Sequence, residues 1–299
     1  MLTRLMLLVL TCMFLGSCSS TTSGLSIPTT APNGALEQIP ATVFKPDGPG
    51  SFPAVVIMHD CSGLGPTSSG APSRWARVLV RWGYVVLLPD SFTTRRHAGG
   101  VCSDPSPSRA EVSPARRVRD AYAALAYLRT LSYVDGQRVG LMGGSHGGTT
   151  TLAAMAASPS DVELFARDRQ MGFVAAMALY PGCTIRLGSG LTGAAGVYKP
   201  MAPVRILIGE QDDWTPAAPC RKLTEAAEEA GYPVTIKVYP GVHHAFDSDK
   251  PVRYVATRVN ANAPGGRGAT TGGDSQAWAD SMREVGAFFG QYLMHSRSP

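Results

Sequence analysis

Six short apolar runs punctuate the chain: residues 53–58 (PAVVIM), 84–88 (YVVLL), 138–142 (RVGLM), 174–180, 204–208 and 234–239. They are β-branched-rich and lack polar alternation, the pattern of strands buried on both faces of a parallel sheet. Between them the pattern changes to helical spacing at 73–82, 114–130, 146–157, 216–230 and 276–293. The clearest of these is 114–130, where Val118, Tyr122, Leu125 and Leu128 recur on one face and Pro114 suits a first turn. Strand–helix alternation predicts a single α/β domain with a mostly parallel central sheet and helices on both faces. Residues 36–44 add an antiparallel edge strand or hairpin. The stretch 247–273, with Pro251, Pro264 and a Gly-rich end, fits no element and reads as one long loop; such loops are functional or mobile.

The chain opens differently. Arg4 precedes an apolar run over residues 5–15, too short for a bilayer span, which needs roughly 20 residues. It has the form of a secretory signal. Leu15-Gly16-Ser17-Cys18 resembles a bacterial lipobox, predicting cleavage before Cys18 and lipid on that cysteine; an ordinary signal cut slightly later is the alternative. On this reading residues 1–17 are signal and 18–35, rich in Ser, Thr, Pro and Gly, are a flexible tether. Residues 36–299 form the domain, which faces the periplasm or exterior.

Export accounts for the six cysteines. Cys12 leaves with the signal and Cys18 is acylated. Cys61, Cys102, Cys183 and Cys220 remain where disulfides persist. Four cysteines allow three pairings, and sequence alone does not choose. Cys61–Cys102 and Cys183–Cys220 are favoured because each would join loops on one side of the predicted sheet. None of the four is closely spaced, so a zinc site is not expected.

Composition narrows the classes. Charged residues are 16%, below the roughly 25% of an average soluble protein. The 44% hydrophobic fraction is enough for a core, so 33 Gly and 23 Pro mean turns rather than disorder. A net charge of +5, without Lys/Arg clusters, does not describe a nucleic-acid binder. Nothing bears on oligomeric state.

The third strand runs into Gly143-Gly144-Ser145-His146-Gly147-Gly148, a G-x-S-x-G between strand and helix. A serine on so tight a turn needs small neighbours and is lifted above the sheet edge; otherwise it is a simple helix N-cap. As a nucleophile it needs a base, and the base an orienting acid, here in the chain order Ser, acid, His. The loop after 204–208 offers Glu210, Asp212 and Asp213; one of the two aspartates is expected to cap the following helix. The loop after 234–239 offers His243 and His244. His146 should project away from Ser145. Catalytic groups gather at the C-terminal ends of such strands. The oxyanion hole needs two backbone N–H donors, expected from His146 and, after the first strand, from Cys61.

The segments HDCSGLG (59–65), GYVVLLPDSF (83–92), RDAYAALAYLRT (119–130), RVGLMGGSHGG (138–148), GEQDDWTP (209–216) and YPGVHHAFD (239–247), in this order, resemble the dienelactone hydrolase family of α/β-hydrolases. The resemblance implies an α/β-hydrolase fold. The family pattern puts its acid three residues after the glycine of G-x-x-D, selecting Asp212, and its base directly before Ala-Phe, selecting His244. The best-known members carry cysteine at the elbow, where this chain has Ser145, which favours general ester hydrolysis. Asp60 takes the place of an acidic residue after the first strand. Arg95 and Arg96 lie near one position of arginines that hold a lactone carboxylate, but the spacing differs, so dienelactone itself is not the expected substrate.

The expectation is a lipid-anchored serine hydrolase of small carboxylic esters or lactones, with Ser145, Asp212 and His244 catalytic. No metal or organic cofactor, no nucleic acid, and no membrane contact beyond the anchor are expected. A serine peptidase of the same fold and a non-catalytic, ligand-binding envelope lipoprotein are the rivals. Residues 247–273, directly after His244, are expected to border the pocket.

Overall fold

The structure is a computed structural model and describes residues 19–156, 172–184 and 197–294. Eight strands form one sheet: β1 (Ser20–Thr30), β2 (Leu36–Lys45), β3 (Phe52–Met58), β4 (Val85–Pro89), β5 (Val134–Gly144), β6 (Ala176–Leu179), β7 (Val204–Gly209) and β8 (Val234–Tyr239). Their order is β1-β2-β4-β3-β5-β6-β7-β8. Pairing from β4 through β8 is parallel, while β1 and β2 are antiparallel additions at one edge. Among the described residues the α-helices are α1 (Ala71–Arg81), α2 (Pro114–Arg129), α3 (His146–Met155), α4 (Ala217–Glu229) and α5 (Ser275–Phe289).

Both faces of the sheet are covered, as the unbroken apolar runs require. On β5 a Cβ added at Gly140 would meet Phe289 and Leu293, whereas one at Gly143 would meet Gly147 and Thr151 of α3. Positions an odd number apart point to opposite faces of a strand, so α3 and the C-terminal helix lie on opposite sides. α1 joins the C-terminal side through an edge-on pair, Trp75 with Trp278, at 4.5 Å. The central strands β3, β4 and β6 are buried along almost their whole length.

Two stretches differ from the sequence reading. Residues 20–30, expected within a flexible tether, are β1, with Ile27 opposite Ile39 and Thr30 opposite Leu36. Alternation decides this: Ile27 and Thr29 point inward, and Thr29 donates to Asp120 of α2 at 3.1 Å. Residues 247–273, read as one structureless loop, contain the antiparallel hairpin of β9 (Arg253–Val259) and β10 (Arg267–Thr271). Most β9 side chains are exposed on both faces, so no apolar period marks it. The expected signal, Cys18, His295 and the final residue of the helix expected at 146–157 lie outside the described residues. No helix among the described residues is long and apolar enough to cross a membrane.

Both favoured cysteine pairs are disulfides, Cys61–Cys102 and Cys183–Cys220, with Cα atoms 4.9 and 5.1 Å apart. Cys61–Cys102 ties the loops after β3 and β4, and Cys183–Cys220 ties the loop after β6 to the first turn of α4, both at the carboxyl edge of the sheet, where the candidate site sits.

Candidate active site

β5 ends at Gly144, α3 begins at His146, and Ser145 sits between them at φ 53°, ψ −118°. A side-chain-bearing residue rarely holds that conformation, and such strain concentrates at functional turns. The helix packs too closely for a side chain at Gly147: a Cβ there would lie 2.0 Å from the Met58 carbonyl oxygen of β3. Although Ser145 occupies the N-cap position of α3, its side chain makes no cap bond. It turns instead to His244, whose Nε2 lies 2.9 Å from Ser145 Oγ.

His244 follows β8, and its Nδ1 is 2.7 Å from Asp212 Oδ2. Asp212, just past β7, is itself fixed: its Oδ1 accepts from the backbone N–H groups of Trp214 (3.0 Å) and Thr215 (2.8 Å). Because the carboxylate only accepts, the His244 proton resides on Nδ1, and Nε2 is free to accept the Ser145 hydroxyl proton. The imidazole is packed against Tyr180 and Trp214, each at 4.8 Å between ring centroids. Thr215 Oγ1 lies 3.0 Å from both His244 Nδ1 and Asp212 Oδ2.

The remaining candidates go elsewhere. Asp213 does not face His244; its carboxylate accepts from the Thr270 N–H and hydroxyl, both at 2.8 Å, and so holds the β9–β10 hairpin. The expected aspartate cap on α4 is not formed: Pro216 is the N-cap residue and no side chain caps the helix. Glu210 accepts from Gly241 N at 3.1 Å, and His243 Nδ1 lies 3.1 Å from the Gln211 carbonyl. The His146 ring turns away from Ser145, with Nδ1 accepting from Arg117 at 2.7 Å. Arg95 is engaged by Asp120 and Glu37, and Arg96 is exposed, so neither lines the cleft.

Ser145 and His244 line a cleft of about 670 Å³, counted out to its open mouth. Cys61, Asp60, Trp214 and Asp247 form its inner wall; Lys250, Arg253, Arg258 and Thr271 place the hairpin segment along its rim. Cys61 is held on both sides, by its disulfide and by Val101 N donating to its carbonyl at 2.7 Å. Asp60 is saturated by Ser62 N at 2.7 Å and by the Ser62 and Ser69 hydroxyls. With Cys61 and Cys102 it forms the one metal-like cluster among the described residues, but both sulfurs are spent in the disulfide and offer no thiolate.

Several residues at the site escaped the sequence reading. Tyr180, at φ 36°, donates to Asp247 Oδ1 at 2.7 Å, and Trp75 Nε1 donates to Oδ2 at 2.8 Å. Burial pushes the Asp247 carboxyl above the usual carboxylate range, against those two hydrogen bonds. Asp247 lies three residues after His244 in the HHAFD segment, the one sequence signal that could have found it.

A sequence model of the dienelactone hydrolase family matches residues 39–293. The chain belongs to the dienelactone hydrolase family. Among curated proteins, this family member is 30% identical over 171 residues to the quorum-quenching protein AidA of Acinetobacter baumannii (strain MDR-ZJ06). That match covers 56% of this chain and 52% of the relative, so the chain spans about half of AidA. Among solved structures it is similar to a candidate dienelactone hydrolase of Klebsiella pneumoniae subsp. pneumoniae MGH 78578, with TM-score 0.66 and 19% identity over 92% of this chain and all (100%) of that one. It is also similar to a dienelactone hydrolase-like promiscuous phosphotriesterase from metagenomic libraries (TM-score 0.63, 17% identity, 93% of this chain, 100% of that one). A third likeness is to Thermogutta terrifontis esterase 2 phosphorylated by paraoxon (TM-score 0.61, 18% identity, 93% and 96%). These structures share the α/β-hydrolase fold with this dienelactone hydrolase family member, and the family assigns it to the hydrolases.

Proposed function

We propose that this hydrolase cleaves carboxylic esters or lactones through an acyl-enzyme formed on Ser145. One observation carries the reading: an unbroken relay from Asp212 through His244 to Ser145, with steps of 2.7 and 2.9 Å, opens at the floor of the cleft. Esterase chemistry in the Thermogutta protein and its phosphorylation by paraoxon support it, since both are reactions of an activated nucleophile.

Ser145 Oγ attacks the ester carbonyl while His244 Nε2 takes its proton. The tetrahedral oxyanion is held by the backbone N–H groups of Cys61 and His146; neither donates to another group among the described residues. His244 then protonates the departing alcohol, and Asp212 stabilises the imidazolium through Nδ1. Water enters, His244 removes its proton, and the acid leaves as Ser145 is restored.

A fluorophosphonate probe tests the reading on the purified protein. Labelling that disappears in Ser145→Ala, together with turnover of aryl esters and not of short peptides, is the expected result. No labelling of folded protein, or equal labelling of Ser145→Ala, removes the enzyme reading in favour of a ligand-binding protein. The lipobox-like segment adds a location: the mature chain is held at the bacterial cell envelope by lipid on Cys18. Cys18→Ser should release it into the soluble fraction, and retention in the membrane fraction would refute the anchor.

A further inference from the structure

The chemistry proposed above needs two amides at a fixed separation, yet they belong to different parts of the chain. Cys61 lies in the loop after β3, and His146 opens α3 after β5. One side chain spans them. Arg117 of α2 is fully buried, with Nη2 donating to the His59 carbonyl at 2.8 Å and Nη1 donating to His146 Nδ1 at 2.7 Å. Phe92 floors this link: its ring lies 5.0 Å from the Arg117 guanidinium and meets the rings of His59 and His146 edge-on.

The arrangement is costly for a mere structural tie. A buried guanidinium without a directly paired carboxylate is an expensive group to desolvate. Among the described residues no carboxylate forms an ion pair with Arg117, and its Nε has no partner. Asp120, Asp60 and Asp90 act on it only through their fields, and burial brings it down to about 10, so it stays a cation at neutral pH. The two acceptors are also specific in place. His59 lies two residues before Cys61, and His146 itself carries the second donor amide.

Both histidines are neutral in this setting. Burial, then the Arg117 charge, holds each well below its ordinary value. His59 Nε2 accepts from Ser91 N at 3.2 Å, leaving its Nδ1 proton for the Asp60 carbonyl at 2.9 Å. His146 Nδ1 accepts from Arg117, so its proton is on Nε2. The link is therefore a fixed set of hydrogen bonds over the neutral range, not a titrating switch.

We propose that Arg117 is a positioning residue of the oxyanion hole, clamping the loop that carries the Cys61 amide to the first residue of α3 that carries the other. The proposal rests on the serine-hydrolase reading above. An amide displaced by a fraction of an ångström loses its grip on the oxyanion more than on the ground-state carbonyl, so the loss falls on kcat rather than KM.

The test uses the whole protein as Arg117→Lys and Arg117→Gln, with active sites counted by fluorophosphonate titration. p-Nitrophenyl acetate turnover gives kcat and KM, and phenylboronic acid, which binds as a tetrahedral adduct, reports the oxyanion hole directly. The expected result is kcat per titrated site lowered about 10- to 100-fold with KM within about threefold of wild type. Boronate affinity should fall in parallel, and Lys should retain more activity than Gln. The proposal is overturned by kcat per site within threefold of wild type in both variants, by a change confined to KM, or by undiminished boronate binding. Should neither variant fold, His146→Ala removes one of the two acceptors and leaves α2 intact; it should cut kcat per site about tenfold, and an unchanged value overturns the proposal. A labelled, active wild type with unaffected variants leaves the serine-hydrolase reading standing and sinks this one alone; a wild type that neither labels nor turns over sinks both.

Discussion

Asp212→Asn is the sharpest probe of the relay, because it changes one proton and almost no shape. Asp212 Oδ1 takes two backbone amides, at 3.0 and 2.8 Å, and an asparagine oxygen can keep both. That leaves the new NH₂ group where Oδ2 stood, 2.7 Å from His244 Nδ1. Two donors cannot face each other, so the imidazole must move its proton to Nε2. The nitrogen 2.9 Å from Ser145 Oγ then donates instead of accepting, and the base is lost. A wrong tautomer of this kind costs about 10⁴-fold in kcat, or about 5.5 kcal/mol of transition-state stabilisation. Folding loses only one charge-assisted bond, about 1–3 kcal/mol. The assay is p-nitrophenyl acetate hydrolysis with circular dichroism and thermal melting in parallel. A folded Asn variant within tenfold of wild-type kcat would show that another group orients His244, or that the relay is not the catalyst.

Other consequences are more local. Gly147→Ala puts a Cβ 2.0 Å from the Met58 carbonyl oxygen and 2.6 Å from that of His59; backbone atoms cannot swing aside, so urea unfolding should show a loss of about 3 kcal/mol or more. Replacing both Cys183 and Cys220 by Ser opens a cross-link of sequence separation 37, and the same measurement should show about 3–4 kcal/mol. Asp213→Ala removes both hydrogen bonds to Thr270; the relative KM for short- and long-chain aryl esters should shift at least about threefold while Ser145 labelling continues, and unchanged preference would deny the hairpin a place in the pocket wall. Burial opposes ionisation of Glu37, but the hydrogen bonds and charges of Arg95 and Arg116 outweigh it and hold its carboxyl below the ordinary 4.5. A depressed carboxyl stabilises the fold above its unfolded pKa and loses that contribution as pH falls through the folded one. Glu37→Gln should therefore cost about 1 kcal/mol at pH 7, a figure reduced for partial exposure, and the difference from wild type should close as pH falls below 4.5.

The central sheet and the elbow were legible because their physics is local. A strand buried on both faces has to be apolar throughout, and a serine between crowded backbones requires glycines beside it. Ser145, Asp212 and His244 stand at strand ends in an order that the topology brings together, so their meeting followed from the alternation of elements. The missed parts depend on partners far away in the chain. β1 has the Ser/Thr-rich composition of a tether, and only its pairing with β2 makes Ile27 a core residue. β9 exposes most of its side chains, leaving no period to read. Asp212 and Asp213 looked interchangeable as a helix cap. Neither caps, because one is spent on its own turn and His244 and the other on Thr270. Arg117 stands beside Arg116 and near Arg119, and nothing local tells that it alone reaches both His59 and His146.

The hairpin that the sequence left as a loop is also a structural part of the frame around the proposed catalytic residues, through one residue. Val259 ends β9; its N–H donates to the Cys102 carbonyl at 3.0 Å, and its carbonyl accepts from Trp214 Nε1 at 2.9 Å. Cys102 is bonded through sulfur to Cys61, which carries one proposed oxyanion amide, and the Trp214 ring packs on His244. Val259 thus bridges the loop of the proposed oxyanion amide and the wall of His244. Arg253 and Arg258 line the cleft on the same strand, so on the reading proposed above a substrate that touched either would bear on the end that holds both. Selectivity and rate are then mechanically coupled: a change that tilts β9 to admit a larger ester also moves the supports of Cys61 and His244. Substitutions on β9 that broaden substrate range should accordingly lower kcat for small esters, whereas substitutions at the cleft floor outside this frame should leave the two properties independent.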